Sequence, residues 1–128
     1  WQQEKLIEWW GYQPKMEQVL PKATVVVLPS YREGLPKILC EAAAVGRPII
    51  TTDVPGCRDA IVSGLTGLLV PSRNAIALAE AIEVLANNRQ TCVEMGNEAR
   101  AFACRKFDEE LIVSQHMAIY EQALGRYK

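Results

Sequence analysis

Two carboxylates in one short stretch could do chemistry. Glu33 and Glu41 stand eight positions apart within Pro29-Ser-Tyr-Arg-Glu-Gly-Leu-Pro-Lys-Ile-Leu-Cys-Glu41. The stretch follows a β-branched run and leads into a good helix sequence. A helix start offers unpaired backbone N–H groups and the positive end of its dipole, which suits phosphate. Pro36 has no N–H, so the amides on offer are those of Gly34, Leu35, Lys37 and Ile38. Gly34 also lets a ligand approach the backbone closely. An ionised carboxylate accepts hydrogen bonds and cannot donate them, so the hydroxyls of a sugar or ribose are natural partners for Glu33 and Glu41. Glu41 lies between Cys40 and three alanines, and a carboxylate in so apolar a helix needs a hydrogen-bonding partner. The residues alone leave a structural reading open. Glu33 could serve the helix dipole, and Glu41 could be half of an internal ion pair with Arg32 or Arg47.

These residues need elements to position them, and the first half of the chain alternates two kinds of segment. Leu6 to Trp10 is a short apolar run ended by Gly11, which predicts a strand. Pro14 can open a short helix running to about Leu20. Ala23 to Leu28 is apolar without alternation, as in a parallel strand covered on both faces. Pro36 can again sit at a helix start, with Lys37 to Val45 helical and Gly46 stopping it. Pro48 to Thr52 and Leu68 to Val70 read as two more strands. The second half is helical. Asn74 suits an N-cap, and residues 75, 78, 79, 82, 85 and 86 share one apolar face. Asn87-Asn88 break that helix. Cys92, Met95, Gly96, Ala99, Phe102 and Ala103 repeat the spacing, with Gly96 marking close packing. Asp108 can cap a last helix, with Phe107 and Ile112 as its hydrophobic staple, running to about Leu124. The fold class is therefore α/β: a small parallel sheet of about four strands flanked by helices, with a helical C-terminal end.

Composition excludes several functions. The 128 residues are 49% hydrophobic and 23% charged, which is ordinary for one globular domain. Net charge is −1, so no global basic field exists to hold nucleic acid. The longest purely apolar runs are too short to span a bilayer, and the first residues lack signal-peptide character; the expectation is a cytoplasmic protein. The four cysteines form no CxxC pair, and the single histidine, His116, is twelve residues beyond Cys104. Neither a zinc site nor a disulfide is expected. Three of the cysteines should pack as small hydrophobes, with Cys57 exposed in its Pro-Gly loop. Trp9 and Trp10 are expected to pack, and Arg58 either faces the cleft or is solvated.

The ordered motifs resemble retaining GT-B glycosyltransferases of family 4. The Glu33/Glu41 pair, with Pro29-Ser30 ahead of it and Glu41 opening Glu-Ala-Ala-Ala-Val-Gly-Arg-Pro48, is similar to that family's signature. The similarity continues through Thr52 to Asp59, Gly64 to Pro71, and Phe107, covering nearly the whole chain. The loop around Cys57 resembles that of bacterial capsule, O-antigen and exopolysaccharide transferases. The resemblance implies a truncated C-terminal donor domain, residues 1–128, Rossmann-like and part of a GT-B fold. The acceptor-binding N-terminal domain and the opening strands would be missing. By resemblance, Glu33 is the catalytic-centre residue on donor-sugar hydroxyls and Glu41 holds the ribose. The amides of Gly34, Leu35, Lys37 and Ile38 meet sugar and phosphate, and Gly11 and Tyr12 flank the base. No metal or other cofactor is implied. The donor would be a nucleotide-diphosphate sugar, UDP first. The acceptor would be a saccharide or lipid-linked saccharide, met at the inner membrane face. The isolated fragment is expected to be inactive and to self-associate through its open sheet edge. The alternatives are a non-catalytic nucleotide-binding or regulatory module on the same fold, and an unrelated doubly wound domain whose glutamates are structural.

Overall fold

The computed structural model describes residues 8–11, 13–30, 34 and 36–107. Three parallel strands form the sheet in the order β1 (Val26–Leu28), β2 (Ile49–Thr52) and β3 (Gly67–Val70). Register pairs Val26 with Ile49 and Leu28 with Thr51, then Ile49 with Gly67 and Thr52 with Val70. The short helix α1 (Met16–Val19) continues into a 3-10 turn at Leu20–Lys22, ahead of β1. Helix α2 (Lys37–Ala44) joins β1 to β2, the four-residue α3 (Pro55–Arg58) lies between β2 and β3, and α4 (Ala75–Ala86) and α5 (Arg89–Phe107) follow.

β2 explains the architecture. All four of its residues are buried, because it is hydrogen-bonded on both edges and covered on both faces. Ile49 belongs to a core with Leu39 and Ala43 of α2, Cys57 of α3 and Ala99 and Ala103 of α5. Ile50 points the other way, into a core with Val70, Ala81, Leu85, Cys92 and Met95. Successive residues on opposite faces are the pleat of a strand, so the apolar run without alternation is the mark of two covered faces.

α5 contributes to both cores, Cys92 and Met95 to one and Ala99 and Ala103 to the other. The crossing is at Gly96, where an added Cβ would lie 2.2 Å from the carbonyl oxygen of Gly46. Gly46 itself has φ +77° in the turn that ends α2. The reading of Gly96 as a point of close packing therefore holds.

Several expectations are corrected. Three strands are present among the described residues. Of the run expected as a first strand, Leu6 and Ile7 lie outside those residues, and Glu8, Trp9 and Trp10 are irregular and exposed. Trp9 at 76% and Trp10 at 51% exposure do not pack as expected, since no strand pairing carries them into a core. α4 buries Ala81 and Leu85 and half-buries Ala77 and Leu78, while Ala75, Ala79, Ile82 and Ala86 face outward. The true face is rotated from the one read in the sequence, because alanines occur on both sides of this helix and both isoleucines face outward. Cys57 is fully buried: the Pro-Gly segment is a helical turn pressed on the core, not an open loop. No disulfide joins any of the four cysteines, all of which are described. The last helix, its Asp108 cap and His116 fall outside the described residues.

Candidate functional site

In parallel α/β sheets ligands bind beyond the carboxyl ends of the strands. Here those ends are Leu28, Thr52 and Val70, each followed by a loop. Two hydroxyls tie the first two ends together. Thr51 Oγ1 donates to the carbonyl of Leu28 at 2.8 Å, and Thr52 Oγ1 donates to that of Ser30 at 2.5 Å. Both threonines are buried, where an unpaired hydroxyl is costly. These two bonds fix the root of the segment that runs from Pro29 into α2. The sequence reading missed them; the only available signal was two threonines inside a strand otherwise ready to be wholly apolar.

α2 begins after Pro36, which has extended backbone at φ −70°, ψ 126° and no side-chain cap. Its first intrahelical bonds run from Leu39 and Cys40 back to the Pro36 carbonyl, leaving the first-turn amides of Lys37 and Ile38 available, as at any helix start. Leu39 and Ala42 to Ala44 are buried and anchor the helix on the sheet. Glu41 lies on this buried side and is only 8% exposed. Its described partner is Lys37, one turn earlier, with Nζ 3.6 Å from Oε1. This is neither of the expected ion pairs. Arg47 instead donates from Nη2 to the carbonyl of Pro21 at 2.7 Å, and Arg32 lies outside the described residues. At 3.6 Å, and with Lys37 72% exposed, this contact leaves most of the acceptor capacity of Glu41 unspent.

Of the other candidates, Gly34 is described and exposed, and Ile38 is half-buried on α2. Glu33, Leu35 and Tyr12 lie outside the described residues. Gly11 is exposed, with φ +70°. The structure thus places Gly34, Lys37, Ile38 and Glu41 at or near one helix start beyond β1.

A groove of about 490 Å³ lies at the same edge of the sheet, lined by Pro29, Thr52, Val70, Pro71, Arg73 and Asn74 among others. Asn74 caps α4 by accepting from the amide of Ala77 at 2.9 Å, as expected. Beside the end of β2, Arg58 Nε meets Asp53 Oδ1 at 2.6 Å, and both side chains are about half exposed. Arg58 is therefore solvated and paired. No group of three or more metal-ligating side chains gathers among the described residues. No described helix is long and apolar enough to cross a membrane.

A parallel sheet with helices on both faces, and a helix start and a groove at its carboxyl edge, defines a Rossmann-like domain. Residues 2–102 match the glycosyl transferases group 1 family, and the chain belongs to it. It is 29% identical over 118 residues to the N,N'-diacetylbacillosaminyl-diphospho-undecaprenol alpha-1,3-N-acetylgalactosaminyltransferase of Campylobacter jejuni, covering 92% of this chain and 31% of that one. It is 35% identical over 100 residues to the capsular polysaccharide biosynthesis glycosyltransferase CapM of Staphylococcus aureus, covering 78% of this chain and 26% of that one. Its fold superposes on Anabaena HepE, solved in complex with UDP, with a TM-score of 0.79 at 20% identity, over 96% of this chain and 33% of that one. The chain spans less than a third of the length of these relatives.

Proposed function

We propose that residues 1–128 are most of the C-terminal, donor-binding domain of a retaining GT-B glycosyltransferase of family 4. In the intact protein this domain holds a nucleotide-diphosphate sugar, UDP first, for transfer of a hexose to a saccharide or lipid-linked acceptor. The reading draws support from family membership and from two relatives whose names specify a diphospho-undecaprenol acceptor and capsule synthesis. HepE shares the fold and was solved with UDP.

The roles follow from the chemistry of each group. Glu33 contacts sugar hydroxyls beside the anomeric carbon, where charge develops as the bond to phosphate breaks. Glu41 accepts hydrogen bonds from the ribose hydroxyls. The amides of Gly34, Leu35, Lys37 and Ile38 receive the sugar and distal phosphate, and Gly11 and Tyr12 flank the base. The positive end of α2 and basic side chains stabilise the leaving diphosphate, so this reading asks for no metal. Lacking the acceptor domain, the fragment alone turns nothing over.

One observation carries the proposal: Glu41 is buried on the helix rooted at the carboxyl end of β1, and a surface lysine at 3.6 Å is its described partner. A carboxylate held there with unspent acceptor capacity suits a diol. Calorimetric titration of the intact protein with UDP tests it. Glu41→Gln should weaken binding by about tenfold, the loss of one charge-assisted hydrogen bond. A folded variant with unchanged affinity would overturn the assignment.

A further inference from the structure

The opposite edge of the sheet, at the amino ends of β1 and β2, holds a second concave site of about 490 Å³. Its lining includes Lys22 from the 3-10 turn, Thr24 ahead of β1, Arg47 between α2 and β2, and Arg89 and Asn97 of α5. Three cationic side chains thus converge from three separate segments, and no carboxylate is among the described lining residues. The described salt bridges are elsewhere, at Lys37–Glu41 and Arg58–Asp53, so the charges of Lys22, Arg47 and Arg89 are uncompensated among the described residues. Arg47 is the telling member. It is half-buried, one of its nitrogens donates to the Pro21 carbonyl at 2.7 Å, and its Nε is buried with no hydrogen-bond partner. Withdrawing a guanidinium from water without a counter-charge is unfavourable, and an anion in the pocket would supply that charge. The floor is rigid, because the contact between Gly46 and Gly96 locks the Arg47 turn against α5.

We propose that this pocket is an oxyanion site for a phosphate group, separate from the carboxyl edge and independent of the donor-binding reading. Thr24 and Asn97 supply neutral hydrogen bonds around the charges. The phosphate can come from solution or from a lipid headgroup, and two arms of one experiment separate these sources.

Inorganic phosphate is titrated into the intact protein at constant ionic strength, with amide chemical shifts followed by NMR. Saturable shifts should appear at Gly46, Arg47, Arg89 and Asn97. The double variant Lys22→Ser/Arg89→Ser changes exposed residues only, so the fold is kept, and it should weaken binding by about tenfold or more. Arg47→Met should abolish it. Flotation with phosphatidylglycerol vesicles is the second arm. Phosphate binding without flotation assigns a soluble ligand, and flotation lost in the double variant assigns a headgroup. Shifts confined to Gly34, Lys37 and Ile38, or binding unchanged in the folded double variant, would overturn the proposal. Neither result would bear on UDP binding at the other edge.

Discussion

Thr52 Oγ1 reaches from the end of β2 to the carbonyl oxygen of Ser30 at 2.5 Å, and so ties the segment entering the candidate site to the best-buried strand of the sheet. Thr51 repeats the link to Leu28 one residue earlier. Thr52→Val keeps the shape and removes the donor. It should cost about 1 kcal/mol of stability in urea denaturation. It should also weaken UDP binding in the intact protein, because the loop root is released. A variant as stable and as tight-binding as the parent would show that the bond positions nothing.

Gly96→Ala sets two effects against each other. Helix propensity alone favours alanine by about 1 kcal/mol. The new Cβ would sit 2.2 Å from the Gly46 carbonyl oxygen and 3.1 Å from its carbon, and backbone cannot swing aside as a side chain does. The clash should win, with net destabilisation of about 1–3 kcal/mol. A raised melting temperature would contradict the close approach of α5 to the turn that ends α2.

Asn74→Ala removes the oxygen that accepts from the Ala77 amide at 2.9 Å. The expected loss is about 0.5–2 kcal/mol, read by chemical denaturation. Arg58→Ala, in contrast, breaks a pair whose members are 54% and 51% exposed. Its effect should stay below about 1 kcal/mol and shrink further in high salt.

Features governed by local chemistry were legible in the sequence. The β-branched and apolar runs at Val26 and Ile49, the stop at Gly46, the Asn74 cap and the α5 face through Cys92, Ala99 and Ala103 all appear as expected. What failed depended on tertiary context. Alanines on both sides of α4 hid which face is buried, and Ala81 with Leu85 won over Ala75 and Ile82. Pro55-Gly-Cys-Arg looked like an exposed loop, yet one helical turn carries Cys57 to full burial. At the site, the motif identified Glu41 but not its partner. Lys37 is one turn away on the same helix, the spacing at which side chains meet, and attention to that spacing would have found it. The hydroxyl links to Leu28 and Ser30 join residues 23 and 22 positions apart, and no local pattern announces them.

The central claim is that Glu33 and Glu41 hold a nucleotide sugar, one at the reacting centre and one away from it. Steady-state kinetics of Glu33→Gln and Glu41→Gln in the full-length protein test it most directly, with circular dichroism as the folding control. Interactions strengthened in the transition state govern kcat, and uniform binding governs KM. Glu33→Gln should lower kcat by about 10²-fold, equivalent to about 2.7 kcal/mol, and Glu41→Gln should mainly raise KM for the donor. Two folded variants with parental kcat and KM would contradict the account and leave the pair with a structural role alone.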